Sequence, residues 1–390
     1  MNSMLLKAEQ GESGATTPKI GAILLAAGFS SRMGLFKPLL PLNGMPAIAV
    51  ALASLHNSGI TEIIVVLGHR AEELCPIVEA SGAHSVLNPF FAEGMFTSVR
   101  AGAKALSERV EAAFVLPVDI PLVRPATMRR LIETFAAHRN AVTRPRFGGR
   151  PGHPPLLAQQ VLQQAACAQE AGPLSAVLAR FAADTLDAPV ADEAIHMDMD
   201  TPEDYAALAR FAGRHEIPTC GECSALYAIY GVPSGVVRHC RAVARVALCL
   251  AEALAQTGSR LDLELIEAGA LLHDLAKGSP KHAQAGATIL EAMEMPSVAA
   301  IVAAHMEMED ELPPIDERSI VFLADKLVRE DRYVGLDERL AYKRAGFPGD
   351  VRATDAAHRR IRKAANLLKR IEAELGVSLD GSPGALSTVA

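Results

Sequence analysis

The sequence predicts two consecutive folds, a mostly parallel α/β sheet followed by an all-α domain. In the first half, short β-branched or apolar runs such as IGAILLAA and EIIVVLG alternate with stretches of helical length. Strands separated by helices are typical of a parallel sheet that is covered on both faces. In the second half, apolar residues recur at three- and four-residue spacing, as in VVRHCRAVARVALCLAEAL, which indicates amphipathic helices.

The order of the elements in the first half follows from this alternation. Strands are expected at IGAILLAA, EIIVVLG, HSVL and AAFVLPVD, and helices at residues 46–58, 71–80, 97–108 and 125–138. Ligands of such sheets bind at the carboxyl ends of the strands. The expected organisation of the chain is a disordered tail (1–18), the α/β domain (19–212), a linker (213–231), the helical domain (232–375) and a second disordered tail (376–390).

Composition excludes several classes of function. Half of the 390 residues are hydrophobic, and 38 basic against 45 acidic side chains give a net charge of -7, which disfavours nucleic-acid binding by bulk charge. No apolar run approaches the roughly 20 residues that cross a bilayer, so a membrane-spanning role is not expected. Six cysteines lie without a framework spacing and no signal-like segment precedes them, which predicts a cytoplasmic protein with reduced thiols.

The loop after the first strand has the composition of an anion site. LLAAGFSSRMGLFKPLLPL (24–42) satisfies neither the Walker A pattern nor the dinucleotide pattern G-x-G-x-x-G. It still offers Gly28 for close backbone approach, the hydroxyls of Ser30 and Ser31, and the cations Arg32 and Lys37. Those cations suit a triphosphate whose α-phosphorus is attacked. An ordinary turn with solvated charges remains the alternative interpretation.

Carboxylates at two other points suggest a magnesium site. Asp119 ends the apolar run AAFVLPVD, where a sheet presents ligands, although a helix cap is a common role for such a residue. In AIHMDMDTPEDY, apolar and polar residues alternate, so Asp198 and Asp200 are expected on one face of a strand. Asp200 is the preferred ligand because it ends that strand, with Asp198 in reserve. Thr201 is the expected N-cap of the following helix.

Together these segments resemble nucleotidyltransferases of the molybdenum cofactor cytidylyltransferase type. The resemblance covers about residues 19–212 and includes NPFFAEGMFTSVRAG, PVDIPLV, GRPGHPPLL and DMDTPEDY. It implies a Rossmann-like sheet that binds CTP and Mg²⁺ and joins CMP to the terminal phosphate of molybdopterin, with release of pyrophosphate. LAAG and GHP look like the cytidylyl branch, although GTP and sugar or alditol phosphates remain alternatives.

The resemblance also implies roles for individual residues. Ala26, Ala27, Gly28 and Ser30 would hold the nucleotide, Arg32 and Lys37 the triphosphate, and Asp119 and Asp200 the Mg²⁺ ion, while Ser98, Arg100, Gly152, His153 and Pro154 would line the base or pterin side. The catalytic set is then Arg32, Lys37 and Asp119. No nucleophilic side chain is expected, because in-line attack of one phosphate on another needs positioning and charge neutralisation.

The helical half carries histidines and aspartates in an order suited to metal binding. His239, His273, Asp274, His282, His305 and Asp325 lie at intervals along the predicted helices. Imidazole and carboxylate mixtures suit Fe, Mn or Zn more than Ca. Any one of these histidines alone is more often a partly buried helix residue.

In this order they resemble an HD-domain metal-dependent phosphohydrolase over about residues 232–345, closest to dinuclear HD proteins that hydrolyse bis-nucleosyl polyphosphates. The resemblance implies a core set of His239, His273, Asp274 and Asp325, with His282 and His305 completing a second metal position. Lys277, Lys326 and Arg329 are candidates for substrate phosphates, although solvated helix charge is the more common role.

Three functional hypotheses follow. The first is an enzyme of molybdenum cofactor maturation with a cytidylyltransferase and an HD phosphohydrolase. The second keeps both folds and changes the acceptor to a sugar or polyol phosphate. In the third, the protein loads matured cofactor into a molybdenum hydroxylase apoenzyme, and its HD half senses a nucleotide. The pair Cys220 and Cys223 has no partner pair for a zinc site and is assigned to the linker.

Overall fold

A computed structural model describes residues 18–168, 173–308, 314–346 and 351–379. Nearly all of both expected tails, 1–17 and 380–390, lies outside the described residues. The described residues of 18–146, 151–188 and 195–205 form one compact unit, and those of 147–150, 189–194 and 206–379 form the other. Below, these are the first and the second unit.

The first unit is built on one sheet. The strands are β1 Ile20–Ala26, β2 Pro41–Leu42, β3 Met45–Pro46, β4 Glu62–Leu67, β5 His84–Leu87, β6 Ala112–Pro117, β7 Val142–Phe147, β8 Arg150–Pro151, β9 Leu156–Ala158 and β10 Thr185–Pro189. The main path runs β10-β7-β9-β6-β1-β4-β5. Strands β6, β1, β4 and β5 are parallel, whereas β9 is antiparallel to both β6 and β7. The mostly parallel α/β fold is confirmed, with an antiparallel extension on one side.

Helices cover both faces of this sheet. They are α1 Ala47–Asn57, α2 Ala71–Ser81, α3 Met95–Ala105, α4 Pro125–His138, α5 Gln159–Cys167 and α6 Leu174–Ala179. Residues 202–205 of α7 Pro202–Gly213 belong to the first unit and residues 206–213 to the second. The first four helices lie within two or three residues of the predicted bounds. All seven residues of β1 are buried, because it has a neighbouring strand on each side and helices on each face. Ile23 packs in one cluster with Val99 of α3 and Val161 of α5.

Residues 195–200 do not form the strand that their alternation predicts. Glu193–His196 is a 3₁₀ turn and the next residues are irregular. The Ile195 carbonyl accepts a hydrogen bond from the His153 backbone N–H at 3.0 Å, and the side chains of Ile195 and Met199 are buried. The alternating pattern therefore comes from a loop that inserts every second apolar side chain, and the strand prediction is wrong.

The start of α7 agrees with the sequence. The Thr201 hydroxyl accepts a hydrogen bond from the Asp204 backbone N–H at 3.2 Å, and the Asp204 carboxylate accepts one from the Thr201 N–H at 3.0 Å. This reciprocal pair satisfies donors that a helix N-terminus otherwise leaves unpaired. Thr201 is thus the N-cap that the sequence predicts.

The second unit is helical apart from a short hairpin. Its elements are α8 Cys220–Ile229, α9 Ser234–Gln256, α10 Leu263–Leu272, α11 His282–Ala292, α12 Pro296–Ala304, α13 Glu317–Leu327, β11 Val328–Arg329, β12 Arg332–Tyr333, α14 Gly335–Gly346 and α15 Val351–Leu375. Helices α9, α10, α12 and α13 pack around one apolar core. Within the described residues, no helix is both long and apolar enough to cross a membrane.

Part of the expected linker is a helix. In α8, the Thr219 side chain and Glu222 form a capping box at the N-terminus, while Cys223 and Leu226 are buried in the core of the second unit. Capping and apolar burial explain why this segment folds with the helices instead of connecting two domains. Burial also raises the pKa of the Cys223 thiol, so the thiol stays protonated.

Candidate functional site

A pocket opens at the carboxyl ends of β1 and β6 in the first unit. It is lined by Leu25, Ala27, Gly28, Ser30, Lys37, Pro38, Phe91, Met95, Ser98, Pro117, Val118 and Asp119. A sheet presents ligands at this edge because the loops that follow its parallel strands meet there. Lys37 and five other residues that the sequence assigns to substrate or catalysis line this cavity. The five others are Ala27, Gly28, Ser30, Ser98 and Asp119. Ala26 is the last residue of β1 and is buried.

Ser30 holds the loop in shape. Its φ of 58° places it in the left-handed region, and its hydroxyl accepts a hydrogen bond from the Lys37 backbone N–H at 3.1 Å. Local side-chain bonds of this kind fix a turn. Ser30 therefore positions Lys37. The Ala27 carbonyl accepts from the His69 N–H at 3.1 Å, which ties the loop to the segment after β4.

Two cations and two carboxylates meet beside this pocket. The Lys37 ammonium lies 3.2 Å from Asp119 Oδ2 and 2.5 Å from Asp200 Oδ1, and Arg32 Nη1 lies 2.6 Å from Asp200 Oδ2. Burial lowers the pKa of Lys37, but Asp200 and Asp119 outweigh it and raise that pKa overall. Hydrogen bonding to Lys37 holds the pKa of Asp200 below its usual range. Lys37 thus stays protonated and Asp200 ionised at neutral pH.

This arrangement fits the predicted magnesium site. Asp119 and Asp200 present oxygens on either side of one ammonium, although they are far apart in the sequence. Magnesium takes one or two carboxylates together with phosphate oxygens. Asp198, the reserve ligand, is exposed.

The remaining predicted substrate residues divide into two groups. Ser98 is buried at the pocket and accepts a hydrogen bond from Asn88 Nδ2 at 3.0 Å. Asn88 was not among the predicted site residues. Arg100 instead donates to the carbonyl of Ala168 at 2.9 Å, at the end of α5, and it is not among the residues that line the pocket. The structure thus places Arg100 in helix packing.

The segment 152–154 lies next to the Ile195 loop. Gly152 packs against Ile195, whose carbonyl binds the His153 N–H, and Pro154 is buried. The His153 imidazole is within electrostatic range of Asp119. These residues are near the carboxylates but outside the pocket lining.

Six predicted ligands converge in the second unit. They come from α9 (His239), the residues just after α10 (His273 and Asp274), the first residue of α11 (His282), the residue after α12 (His305) and α13 (Asp325). Within the described residues, two groups have their ligand atoms within 4.8 Å of one another, and Asp274 belongs to both. One is His239, His273 and Asp274, and the other is Asp274, His282 and His305. Asp325 Oδ1 lies 3.2 Å from His239 Nε2.

The imidazoles are oriented as metal ligands require. The Nδ1 atoms of His239, His273 and His305 lie 2.8, 2.7 and 2.6 Å from backbone carbonyls. An Nδ1–H that donates to a carbonyl leaves Nε2 with a lone pair, and that Nε2 faces the cluster. His273 Nε2 is buried and makes no hydrogen bond to any described residue. The donor set therefore fits divalent transition metals.

Electrostatics favour the same protonation states. Burial lowers the pKa of His273 to about 4, so the imidazole is neutral at pH 7. Burial opposes ionisation of Asp274, but the neighbouring His282 and His305, together with His273 and the Lys277 ammonium, hold its pKa below its usual range. The Lys326 ammonium does the same for the buried Asp325. Neutral imidazoles and ionised carboxylates are the forms that bind metal.

Comparison with known families decides the nature of both units. Residues 22–190 match the family model of the MobA-like NTP transferase domain, and residues 236–330 match that of the HD domain. This chain joins a MobA-like NTP transferase domain to an HD domain. The first half is accordingly a nucleotidyltransferase domain, and the resemblances of the two halves to MobA-like NTP transferases and to the HD domain are confirmed.

Individual relatives cover mainly the transferase domain. The molybdenum cofactor cytidylyltransferase of Escherichia coli K12 is 29% identical over 187 residues, which are 48% of this chain and 93% of that protein. The bifunctional IPC transferase and DIPP synthase of Rubrobacter xylanophilus is 36% identical over 119 residues, 29% of this chain and 26% of that protein. The chain thus spans about a quarter of this second relative. The crystal structure of Rv0371c from Mycobacterium tuberculosis H37Rv is 26% identical, covers 50% of this chain and 100% of its own, and has a TM-score of 0.44.

The cations around the HD domain's cluster differ in their roles. Lys326 is buried, and its ammonium donates to the His305 carbonyl at 2.8 Å and to Asp325 at 2.6 Å. It therefore holds two ligands in place, and the expectation that it binds substrate phosphate is wrong. Arg329 faces Glu338 at 3.4 Å and lies over the Tyr342 ring, so it too is already engaged.

Lys277 and one further cation remain at the cluster. The Lys277 ammonium, on a side chain 48% exposed, lies 3.1 and 2.9 Å from the two oxygens of Asp274. Arg339 of α14 reaches Asp325 at 3.8 Å. The sequence signal for Arg339 is absent, because no motif connects α14 with the ligands.

Proposed function

We propose that the transferase domain moves CMP from CTP to the terminal phosphate of molybdopterin and releases pyrophosphate. The observation that carries this proposal is the meeting of Arg32, Lys37, Asp119 and Asp200 beside the pocket at the strand ends. Two cations and two carboxylates match the needs of a triphosphate with Mg²⁺. The relative from Escherichia coli, a molybdenum cofactor cytidylyltransferase, supports the choice of base and acceptor.

The reaction needs no nucleophilic side chain. A phosphate oxygen of the acceptor forms a bond to the α-phosphorus of CTP, and the bond from that phosphorus to the β-bridging oxygen breaks. Pyrophosphate leaves with the electron pair. Lys37, held by Ser30, and Arg32 neutralise the charge that moves toward pyrophosphate. When bound, Mg²⁺ would be held by Asp119 and Asp200 and would supply further charge neutralisation.

Measurement of pyrophosphate tests this function on the full chain. Release from CTP that depends on molybdopterin, and is much slower with GTP, is the expected result. Release that requires a sugar or polyol phosphate instead would support the alternative acceptor. Binding of CTP with no turnover for any acceptor would favour a protein that loads cofactor into a molybdenum hydroxylase apoenzyme.

Asp119→Asn tests whether the carboxylate of Asp119 is needed for CMP transfer. It keeps the size of the side chain and removes the charge that faces Lys37, so pyrophosphate release should fall at least about a hundredfold with the fold intact. Glu133→Gln is the matched control, because Glu133 is exposed on α4 and pairs with Arg130. Full activity of Asp119→Asn would refute the assignment of this site.

We also propose that the HD domain is a metal-dependent phosphohydrolase acting on a nucleotide or another phosphate ester. Its support is the convergence of Asp274 and five other predicted ligands, with Nε2 lone pairs directed inward. Two ions of Fe, Mn or Zn, when bound, would activate water and stabilise the departing oxygen. A regulatory nucleotide sensor is the alternative, and it predicts nucleotide binding without phosphate release.

A further inference from the structure

Arg339 is a cation beside the six predicted metal ligands. In the sequence it lies outside the segment that matches the HD domain. It belongs to α14, beyond residue 330, where the family match ends. Leu336, one turn earlier, packs against the apolar core, and α14 packs against α13. This packing brings Arg339 Nη2 to 3.8 Å from Asp325 Oδ1, with the Arg339 side chain 14% exposed.

The Arg339 guanidinium keeps its hydrogen-bond donors available. It forms an ion pair with Asp325 but no hydrogen bond to any residue that the structure describes. The Asp325 oxygens instead accept from Lys326 at 2.6 Å and lie 3.2 Å from His239 Nε2. A guanidinium has five donors in a planar fork that suits phosphate oxygens. A group so placed can bind a ligand without breaking a protein hydrogen bond.

The charges around the cluster also favour an anion. The cluster has two carboxylates, those of Asp274 and Asp325. Three cationic side chains form ion pairs with them, namely Lys277, Lys326 and Arg339. Divalent ions at the ligands would add further positive charge. Nearby acids are engaged with other cations, since Glu307 faces Arg360 and Glu338 faces Arg329. A strongly charged anion is therefore favoured over a weakly charged one.

We propose that Arg339 is a substrate-binding residue of the HD domain that selects substrates ending in a phosphoryl dianion over phosphodiesters. This selectivity rests on the proposed phosphohydrolase function. In the reaction, a water oxygen forms a bond to phosphorus and the bond from phosphorus to the leaving oxygen breaks. The leaving group takes the electron pair, and the protons of water pass to the products and the solvent. Arg339 contacts the non-bridging oxygens, of which a terminal phosphoryl group carries more charge than a diester.

The test compares two chromogenic substrates with the Mn²⁺-loaded full chain. p-Nitrophenyl phosphate ends in a phosphoryl dianion, whereas bis(p-nitrophenyl) phosphate is a singly charged diester. The wild type should prefer the former in kcat/KM. Arg339→Gln should raise KM for the former roughly tenfold and change the diester little. Arg339→Lys should recover part of this loss, and Arg318→Gln is the matched control because Arg318 pairs with Asp316.

Two further measurements distinguish binding from folding and from metal loss. Metal content and thermal unfolding of Arg339→Gln should match the wild type. The thermal shift produced by inorganic phosphate, measured in a Lys37→Met background that weakens the transferase pocket, should be lost in Arg339→Gln. Should Arg339→Gln fail to fold, Arg339→Lys carries the same comparison with charge retained.

The outcomes separate the two proposals. Preference of the wild type for the diester, or an unchanged ratio of kcat/KM values in folded, metal-loaded Arg339→Gln, would overturn the role of Arg339. Absence of turnover in the wild type, with a phosphate shift that depends on Arg339, would refute the phosphohydrolase and keep Arg339 as an anion-binding residue of a sensor.

Discussion

At the scale of single residues, Asp187 shows how one carboxylate makes the transferase domain sensitive to acid. It lies on β10, and Arg144 Nε and Arg146 Nη1 of β7 donate to it at 2.9 and 2.6 Å. Burial opposes ionisation, but these hydrogen bonds outweigh it and hold the pKa of Asp187 below its usual range. A depressed pKa stabilises the fold above the unfolded value of about 3.9, and this contribution is lost as the pH falls through the folded pKa.

Asp187→Asn should therefore lower the free energy of unfolding by about 1 kcal/mol at pH 7, because both arginines are partly exposed and screened. The difference from the wild type should shrink toward pH 3, as measured by urea unfolding across pH. Glu133→Gln, which removes an exposed pair on α4, should change stability little at any pH. An equal deficit of Asp187→Asn at pH 3 and pH 7 would contradict this account.

Some residues of the two sites can be recognised from the sequence around them, and others cannot. The six ligands of the HD domain were predicted from the order of histidines and aspartates along the sequence, which resembles that of an HD domain, and they do converge. Arg339 and Asn88 were missed. Asn88 begins the segment NPFFAEGMFTSVRAG that carries the resemblance, but no role is assigned to its amide, and no quoted motif includes Arg339. Their positions follow from packing between elements that are distant in sequence, such as α14 on α13.

At the scale of elements, Gly269 sets how closely α10 approaches α12. A Cβ built there lies 2.6 Å from Ile301 Cγ2. His273 and His305 follow these two helices directly, and their ring centroids lie 5.0 Å apart. The close approach of the two helices thus brings ligands of both metal groups together.

Gly269→Ala should destabilise the HD domain by about 1–2 kcal/mol, because overpacking outweighs the better helix propensity of alanine. Urea unfolding of the full chain measures the loss, and Mn²⁺ titration should show weaker binding. Gly235→Ala is the matched control, since its Cβ would meet only Arg238 at 3.9 Å, and it should leave both quantities nearly unchanged. Tighter metal binding in Gly269→Ala would argue against the role given to this helix pair.

The pattern of apolar residues predicts most strands and helices of the first unit correctly and one strand wrongly. Strands β1, β4 and β6 and helices α1 to α4 follow from apolar runs that are buried on a parallel sheet. Strand β5 also forms at the predicted HSVL, although its side chains are mostly exposed. The strand expected at 195–200 fails because a loop that buries Ile195 and Met199 produces the same alternation. Segment α8 was assigned to a linker, since the pattern of CGEC gives no hint that Cys223 joins a core.

At the scale of the whole molecule, each site is complete within its own unit. Arg32, Lys37, Asp119 and Asp200 all belong to the first unit, and the six ligands of the HD domain all belong to the second. The two sets of named residues do not overlap, so replacing a residue of one set leaves every residue of the other set in place. The two activities should therefore be separable in the intact chain.

Asp274→Asn tests this separation most sharply, because Asp274 is the one ligand common to both metal groups. Loss of its charge should reduce bound Mn²⁺ from about two ions per chain to well below one, and p-nitrophenyl phosphate hydrolysis at least about a hundredfold. Pyrophosphate release from CTP should stay within about twofold of the wild type, whereas Asp119→Asn should give the opposite result. Asp331→Asn, an exposed carboxylate that pairs with Arg238, is the matched control. If a folded Asp274→Asn protein lost pyrophosphate release together with hydrolysis, the two sites would have to act as one.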